Sequence, residues 1–305
     1  MPTVYRSTDT DAPVLTGLVG SLIAVLDACL VNGYTDRPAA GWTKAFSGTN
    51  KAAYKNSLAD GGSECVVRVE DNEPGATDGR NSRWEVFSDM TDVDTGTNGT
   101  GQVWCYKSDT LDSTARPWVL VADGLTFTLY VINNGHSEEI RASRFIHAGD
   151  YDAIDPDNAF RYVLMGTSGS GVTSGSQGFV SDSYHISGAH TRTVHPDGVT
   201  GAFSPTRSGS PSYSGLPTGG NCGSNAPVSW TGKFLFVDVF LSDGERQYLG
   251  RLRGLKYPMQ RLDNTQTKGE LIAGTNLVYT EVVDNPFFTN EFRRGALPVD
   301  AVGPW

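Results

Sequence analysis

The sequence predicts an α+β fold, mostly antiparallel β, and three observations predict it. There are 36 Gly and 15 Pro in 305 residues, the punctuation of many short strands joined by tight turns. The chain is 38% hydrophobic and 10% aromatic but only 19% charged, a balance that suits a packed interior rather than a disordered chain. One apolar run carries a helical period, whereas the apolar runs after it are short and strand-like. The expected arrangement is an N-terminal sheet domain with one buried helix over residues 1–165, a Gly/Ser/Pro-rich connecting arm or long loop over 166–232, and a small C-terminal β domain over 233–305 that ends in an irregular tail.

The helix is expected over Leu18–Val31. Leu18, Leu22, Leu26 and Cys29 fall at i, i+4, i+8 and i+11, one face of a 3.6-residue period. Thr16 is the expected N-cap, and Asn32-Gly33 supplies a left-handed stop. Strand-length runs follow at Cys65–Glu70, Trp84–Phe87, Val103–Tyr106 and Trp118–Ala122. Leu125–Ile132 alternates most cleanly, with Thr126, Thr128 and Tyr130 on one side and Phe127, Leu129 and Val131 on the other. Ala122-Asp123-Gly124 marks a hairpin between the last two, because Asp-Gly tolerates the positive φ of a tight turn. Arg144–His147 and Phe160–Leu164 complete the first domain. Gly, Ser, Thr, Pro and Asn dominate 166–225, a composition that orders its backbone only against a partner. Strand patterning returns at Lys233–Leu241, Gln247–Arg253 and Leu277–Val283, with a second hairpin signal at Ser242-Asp-Gly-Glu245.

Charge and cysteine usage narrow the function classes. Lys and Arg total 24 against 34 Asp and Glu, a net charge of −10, and such a surface repels phosphate backbones. Direct nucleic-acid binding is therefore not expected. Cys29, Cys65, Cys105 and Cys222 have no C-x-x-C spacing and read as reduced thiols. The first residues lack a basic segment feeding an apolar stretch, so no signal peptide is expected. The apolar run 18–31 is shorter than the roughly 20 residues of a spanning helix and contains Asp27, so no membrane partner is expected either.

The candidates for chemistry are few. His185, His190 and His195 are spaced five and five in a Gly/Ser-rich stretch. Imidazole is the commonest metal ligand, yet this spacing fits neither a helix face nor one side of a strand. Exposed loop histidines are the simpler reading, and the row is kept only as a weak metal candidate. Asp150, Asp152, Asp155 and Asp157 form one acidic cluster, and Asp89, Asp92 and Asp94 another. Oxygen ligands on such loops can hold calcium, but neither matches the D-x-D-x-D-G-x₅-E loop, and aspartates also start turns without an ion. No nucleophile elbow, phosphate-binding loop, dinucleotide fingerprint or H-E-x-x-H run is present. No catalytic residue, enzymatic activity or cofactor is expected on these grounds. Trp42, Trp84, Trp104, Trp118 and Trp230 could form a sugar-stacking face, but indoles more often anchor cores and interfaces.

Several segments together resemble a family of uncharacterised virion structural proteins of tailed bacteriophages. They are Ala12–Tyr34, Gly41–Asn50, Asp89–Gly96, Ala115–Asp123 and Arg253–Pro258, covering most of residues 1–165 and thinning afterwards. The resemblance implies a place in the particle and no chemistry. The expectation is a structural subunit on the virion exterior, in tail, neck or baseplate, that assembles symmetrically with copies of itself and other virion proteins. Capsid decoration is the first alternative, a host-glycan-binding module the second, and a polysaccharide-degrading enzyme the third. Interface anchors are expected at Trp118, Phe127, Tyr184, Tyr213, Trp230 and Trp305, on the premise that these aromatics are exposed.

Overall fold

A computed structural model describes residues 1–72, 81–108, 110–132, 144–166, 191–202, 204–207, 236–242, 248–258, 270–271, 275–278, 281–283, 295–296, 299–302 and 305. It is built mainly of antiparallel sheets with one short α-helix, as the composition predicts. The central sheet has seven strands in the order Thr3–Arg6, Trp118–Ala122, Thr126–Val131, Arg144–Asp150, Tyr162–Gly166, Thr191–Val194 and Thr200–Ala202. A five-stranded sheet runs Thr43–Gly48, Lys51–Lys55, Val66–Glu70, Asn81–Phe87 and Val103–Tyr106. A third sheet runs Ser204–Arg207, Phe236–Ser242, Tyr248–Pro258, Val299–Asp300 and Leu277–Val278, with Asp152–Ala153 also paired on Tyr248–Pro258.

Alternation decides which residues face which layer. In Thr126–Val131, Phe127, Leu129 and Val131 point into a core shared with Trp84, Val67 and Val69 of the five-stranded sheet and with Leu22, Val25 and Leu26 of the helix. Tyr130 points the other way, into a second core with Phe145, Val163, Val239, Leu252 and Leu255. The seven-stranded sheet is thus covered on both faces, and every residue of that strand is buried.

The hairpin at Asp123 forms as the sequence predicts, with Phe127 opposite Ala122. Asp123 Oδ1 accepts from the backbone N–H groups of Leu125 and Thr126, both at 2.9 Å, the local bonding that suits Asp to turns. The turn is also clasped from outside: the Trp42 indole N–H donates to the Asp123 carbonyl at 2.8 Å, and Ser57 N–H to Gly124 O at 2.8 Å. The antiparallel pairing of Phe236–Ser242 with Tyr248–Pro258 agrees with the second hairpin signal.

Two expectations are corrected. The helix covers Ser21–Leu26 and continues as a π-helical turn over Asp27–Asn32. Leu18 and Val19 lie before it and are exposed, and Thr16 Oγ1 accepts from Leu18 N–H at 3.1 Å instead of capping the helix. Gly20, at φ 89°, is the true N-cap. The stop at Gly33 holds, with φ 72° and its N–H on Ala28 O at 2.8 Å. The wider turn frees the Cys29 and Leu30 carbonyls, which accept from Ala40 and Trp42 N–H.

The second correction concerns the arm. Thr191–Val194 and Thr200–Ala202 complete the seven-stranded sheet, and Ser204–Arg207 pairs into the third sheet. The seven-stranded and third sheets share a core, so the boundaries at 165/166 and 232/233 do not separate independent units. Small polar residues mask these strands in the sequence, yet Thr191, Thr193 and Val194 are all buried, and Thr193 Oγ1 donates to Tyr162 O at 2.5 Å.

Candidate functional site

The interface anchors chosen from sequence are overturned where they are described, because they are internal. Trp118 and Phe127 have no exposed surface. The Trp118 indole donates to Pro13 O at 3.1 Å, and Phe127 packs edge-on to Trp42 with ring centres 5.4 Å apart. Trp305 is 8% exposed, donates to Asp300 O at 2.8 Å, and lies over Gly254. Gly254 has φ 72°, and a Cβ there would sit 2.5 Å from the Trp305 ring, so the glycine is needed both for its backbone and for the indole above it. Tyr184, Tyr213 and Trp230 lie outside the described residues. Trp42, Trp84 and Trp118 are all buried, which removes three of the five indoles from any sugar-stacking face.

His195 sits in a turn, its N–H on Val199 O at 2.9 Å and its Nδ1 3.0 Å from Asp197 Oδ1. His185 and His190 lie outside the described residues. The acidic clusters are committed to cations and turns. Asp94 pairs with Lys51 at 2.7 Å and Arg68 at 2.8 Å, while Asp92 Oδ1 accepts from Asp94 N–H. Asp155 Oδ1 accepts from Asp157 N–H at 3.0 Å. Asp150 is buried against Ser63, whose N–H donates at 2.8 Å and hydroxyl at 2.5 Å. Burial raises the Asp150 pKa and the Ser63 bonds only partly oppose it. Among the described residues no three His, Cys, Asp or Glu converge as a metal site would require. Cys29, Cys65 and Cys105 are buried, and burial pushes the Cys29 and Cys65 thiols upward. They are poor nucleophiles. Cys222 lies outside the described residues.

The structure assembles two polar constellations that sequence reasoning missed. The first lies between the seven-stranded and third sheets. Val121, Thr128, His147, Met165 and Thr191 form one cross-strand row on the face toward the second core. His147 is fully buried; one ring nitrogen, Nδ1, bonds Thr128 Oγ1 at 2.8 Å, while Nε2 has no partner. Burial, aided by the Arg253 charge, pushes its pKa down to about 3. Beside it runs an ionic chain. Arg253 reaches Asp123 at 2.8 Å and Asp152 at 2.6 Å, Arg251 Nε donates to Asp152 at 2.9 Å, and Lys256 reaches Asp238 at 2.6 Å. Burial opposes the Arg253 charge, but Asp123 and Asp152 more than offset it and its pKa is raised.

The second constellation lies where the five-stranded sheet meets the helix. Lys107 Nζ touches Asp71 Oδ1, with side-chain exposures of 1% and 0%. Lys107 Nζ also donates to Leu18 O at 2.6 Å, and Asp71 Oδ2 accepts from Leu22 N–H at 3.1 Å. Burial lowers the Lys107 pKa and raises that of Asp71, each against the pull of its partner. No periodicity links residues 36 positions apart, so only the burial of a lysine and an aspartate at strand ends could have signalled them.

Among the described residues no helix is long and apolar enough to cross a membrane. Compared with protein-family models and with curated proteins, the chain matches none.

Proposed function

We propose that this chain is a non-enzymatic structural subunit on the exterior of a tailed-phage particle, in tail, neck or baseplate, acting by symmetric assembly with copies of itself and other virion proteins. The reading rests on the family resemblance of residues 1–165, and one structural observation supports it most. Val14, Leu18, Val19 and Leu111 are large aliphatic residues 40–59% exposed. They lie on two neighbouring segments, joined where Gly17 N–H donates to Asp112 O and Leu15 pairs with Arg116. Aliphatic groups brought together at a surface favour burial against a neighbour. The acidic net charge suits an outside position, away from packaged DNA.

The test is a pair of substitutions, Val14→Asp and Leu111→Asp, in the phage that encodes the chain. Both sites are exposed, so folding stability should change by no more than about 0.5 kcal/mol. Incorporation into purified particles should fall sharply. Unchanged incorporation of the double variant would overturn the assignment of this surface, and absence of the unaltered chain from particles would overturn the function.

A further inference from the structure

Lys107 and Asp71 are held in a way no other ion pair of the described residues shares. Lys44–Asp27, Lys51–Asp94 and Lys55–Glu64 all keep a quarter or more of at least one side chain in water, where ammonium and carboxylate are stable as ions. Lys107 and Asp71 have no such access. Their contact also lacks hydrogen-bond alignment: Nζ touches Oδ1, yet Oδ1 has no hydrogen-bond partner. The other carboxyl oxygen is fixed by Leu22 N–H, and the main chain of Asp71 by its own N–H on Asn50 O at 2.8 Å.

We propose that Lys107 and Asp71 condense into an intramolecular amide cross-link, formed by the chain on itself. Lys107 Nζ attacks Asp71 Cγ as the free amine, and the carboxyl group reacts as the acid. The new bond is Nζ–Cγ and the bond that breaks is Cγ–Oδ1. Negative charge developing on Oδ2 meets the Leu22 N–H, which acts as an oxyanion donor. Oδ1 leaves as water, carrying the acid proton and one proton from the amine, so atoms and charge balance without an oxidant or co-reactant. The Ser21 hydroxyl, with Oγ 3.3 Å from Nζ, is within reach to relay that proton.

The required protonation states are the ones burial favours. A low-dielectric site disfavours both charges, and here the Lys107 pKa is lowered and the Asp71 pKa raised. Exclusion of water also removes the competing hydrolysis. The product would tie the end of Val66–Glu70 to the end of Val103–Tyr106 across the intervening strand Asn81–Phe87.

The experiment is the intact mass of the full chain under denaturing conditions, alongside Lys107→Arg, followed by trypsin. The unaltered chain should be lighter than its sequence by one water and the arginine variant should not. Trypsin should fail to cut after Lys107, leaving a branched peptide that joins residues 69–80 to the segment carrying Lys107. Should the variant not fold, the branched peptide from the unaltered chain decides alone. A full unreacted mass with normal cleavage after Lys107, or a missing water that persists in the variant, would overturn the proposal.

Discussion

On one face of the seven-stranded sheet, Phe127, Leu129 and Ile146 meet Trp84 and the helix in an apolar core. On the other face, Tyr130, Phe145 and Val163 share the interface with Thr128, His147 and Thr191, and Arg253 holds carboxylates from two chain segments beside them. The first face is stabilised by removing hydrocarbon from water, a non-directional term. The second adds buried polar groups whose worth depends on complete pairing, since a half-satisfied network costs more than none. One sheet therefore carries a robust joint and a conditional one, and perturbations should separate them.

The largest effect should come from the apolar side. Trp84→Ala removes a side chain that is 1% exposed and packs 6.2 Å from Phe127, and truncations of this kind cost roughly 3–5 kcal/mol. Thermal unfolding should show one lowered transition for the whole chain. Arg253→Met comes next. It leaves Asp123 without its cation, and the loss should be about 2–3 kcal/mol, below that of a fully buried pair because Asp152 is one-third exposed and keeps its bond from Arg251. Hydrogen exchange should rise in Tyr248–Pro258 before it rises in Val66–Glu70. Equal loss of protection in both strands would erase the distinction between the joints.

Acidity should act on the second joint through His147. Its pKa falls from 6.5 to about 3 on folding, so the unfolded chain binds the proton more readily. The contribution to stability is complete above pH 6.5 and shrinks as pH drops toward 3, by about 1.4 kcal/mol per pH unit. Asp150, whose pKa is raised by burial, works in the opposite direction, so the clean quantity is the difference between the unaltered chain and His147→Asn. That difference should narrow as pH falls from 6.5 to 4; a constant difference would show that His147 does not titrate on unfolding. The smallest effect should be Lys44→Met, which removes a pair with Asp27 whose partners are 30% and 27% exposed. Its cost should stay under about 1 kcal/mol by denaturant titration.

The legible parts of this fold were those governed by local chemistry. Asp123-Gly124 specifies its turn through the aspartate's own side chain, and the Thr/Phe/Thr/Leu/Tyr/Val alternation of 126–131 specifies both faces. Gly33 announces the helix end because the positive φ there suits glycine. The missed strands carry weaker signals. Thr43–Gly48 and Lys51–Lys55 hold Lys, Ala, Ser and Gly, and Thr3–Arg6 is only four residues long. Their pairing partners supply what their composition lacks.

The polar constellations were not legible at all. Asp123, Asp152 and Arg253 come from a hairpin turn, a two-residue strand and the third sheet, and only the folded register brings them together. The aromatic anchors failed for a related reason. Trp118 and Phe127 sit in strands that look half-exposed in sequence, but the sheet holding them is covered on both sides.

A density map of the intact virion tests the central claim most directly. The account predicts repeated copies of this chain on the outer surface, with segments 14–19 and 110–116 pressed against a neighbouring subunit. A particle lacking the chain, or holding it with Val14, Leu18, Val19 and Leu111 still facing solvent, would contradict it.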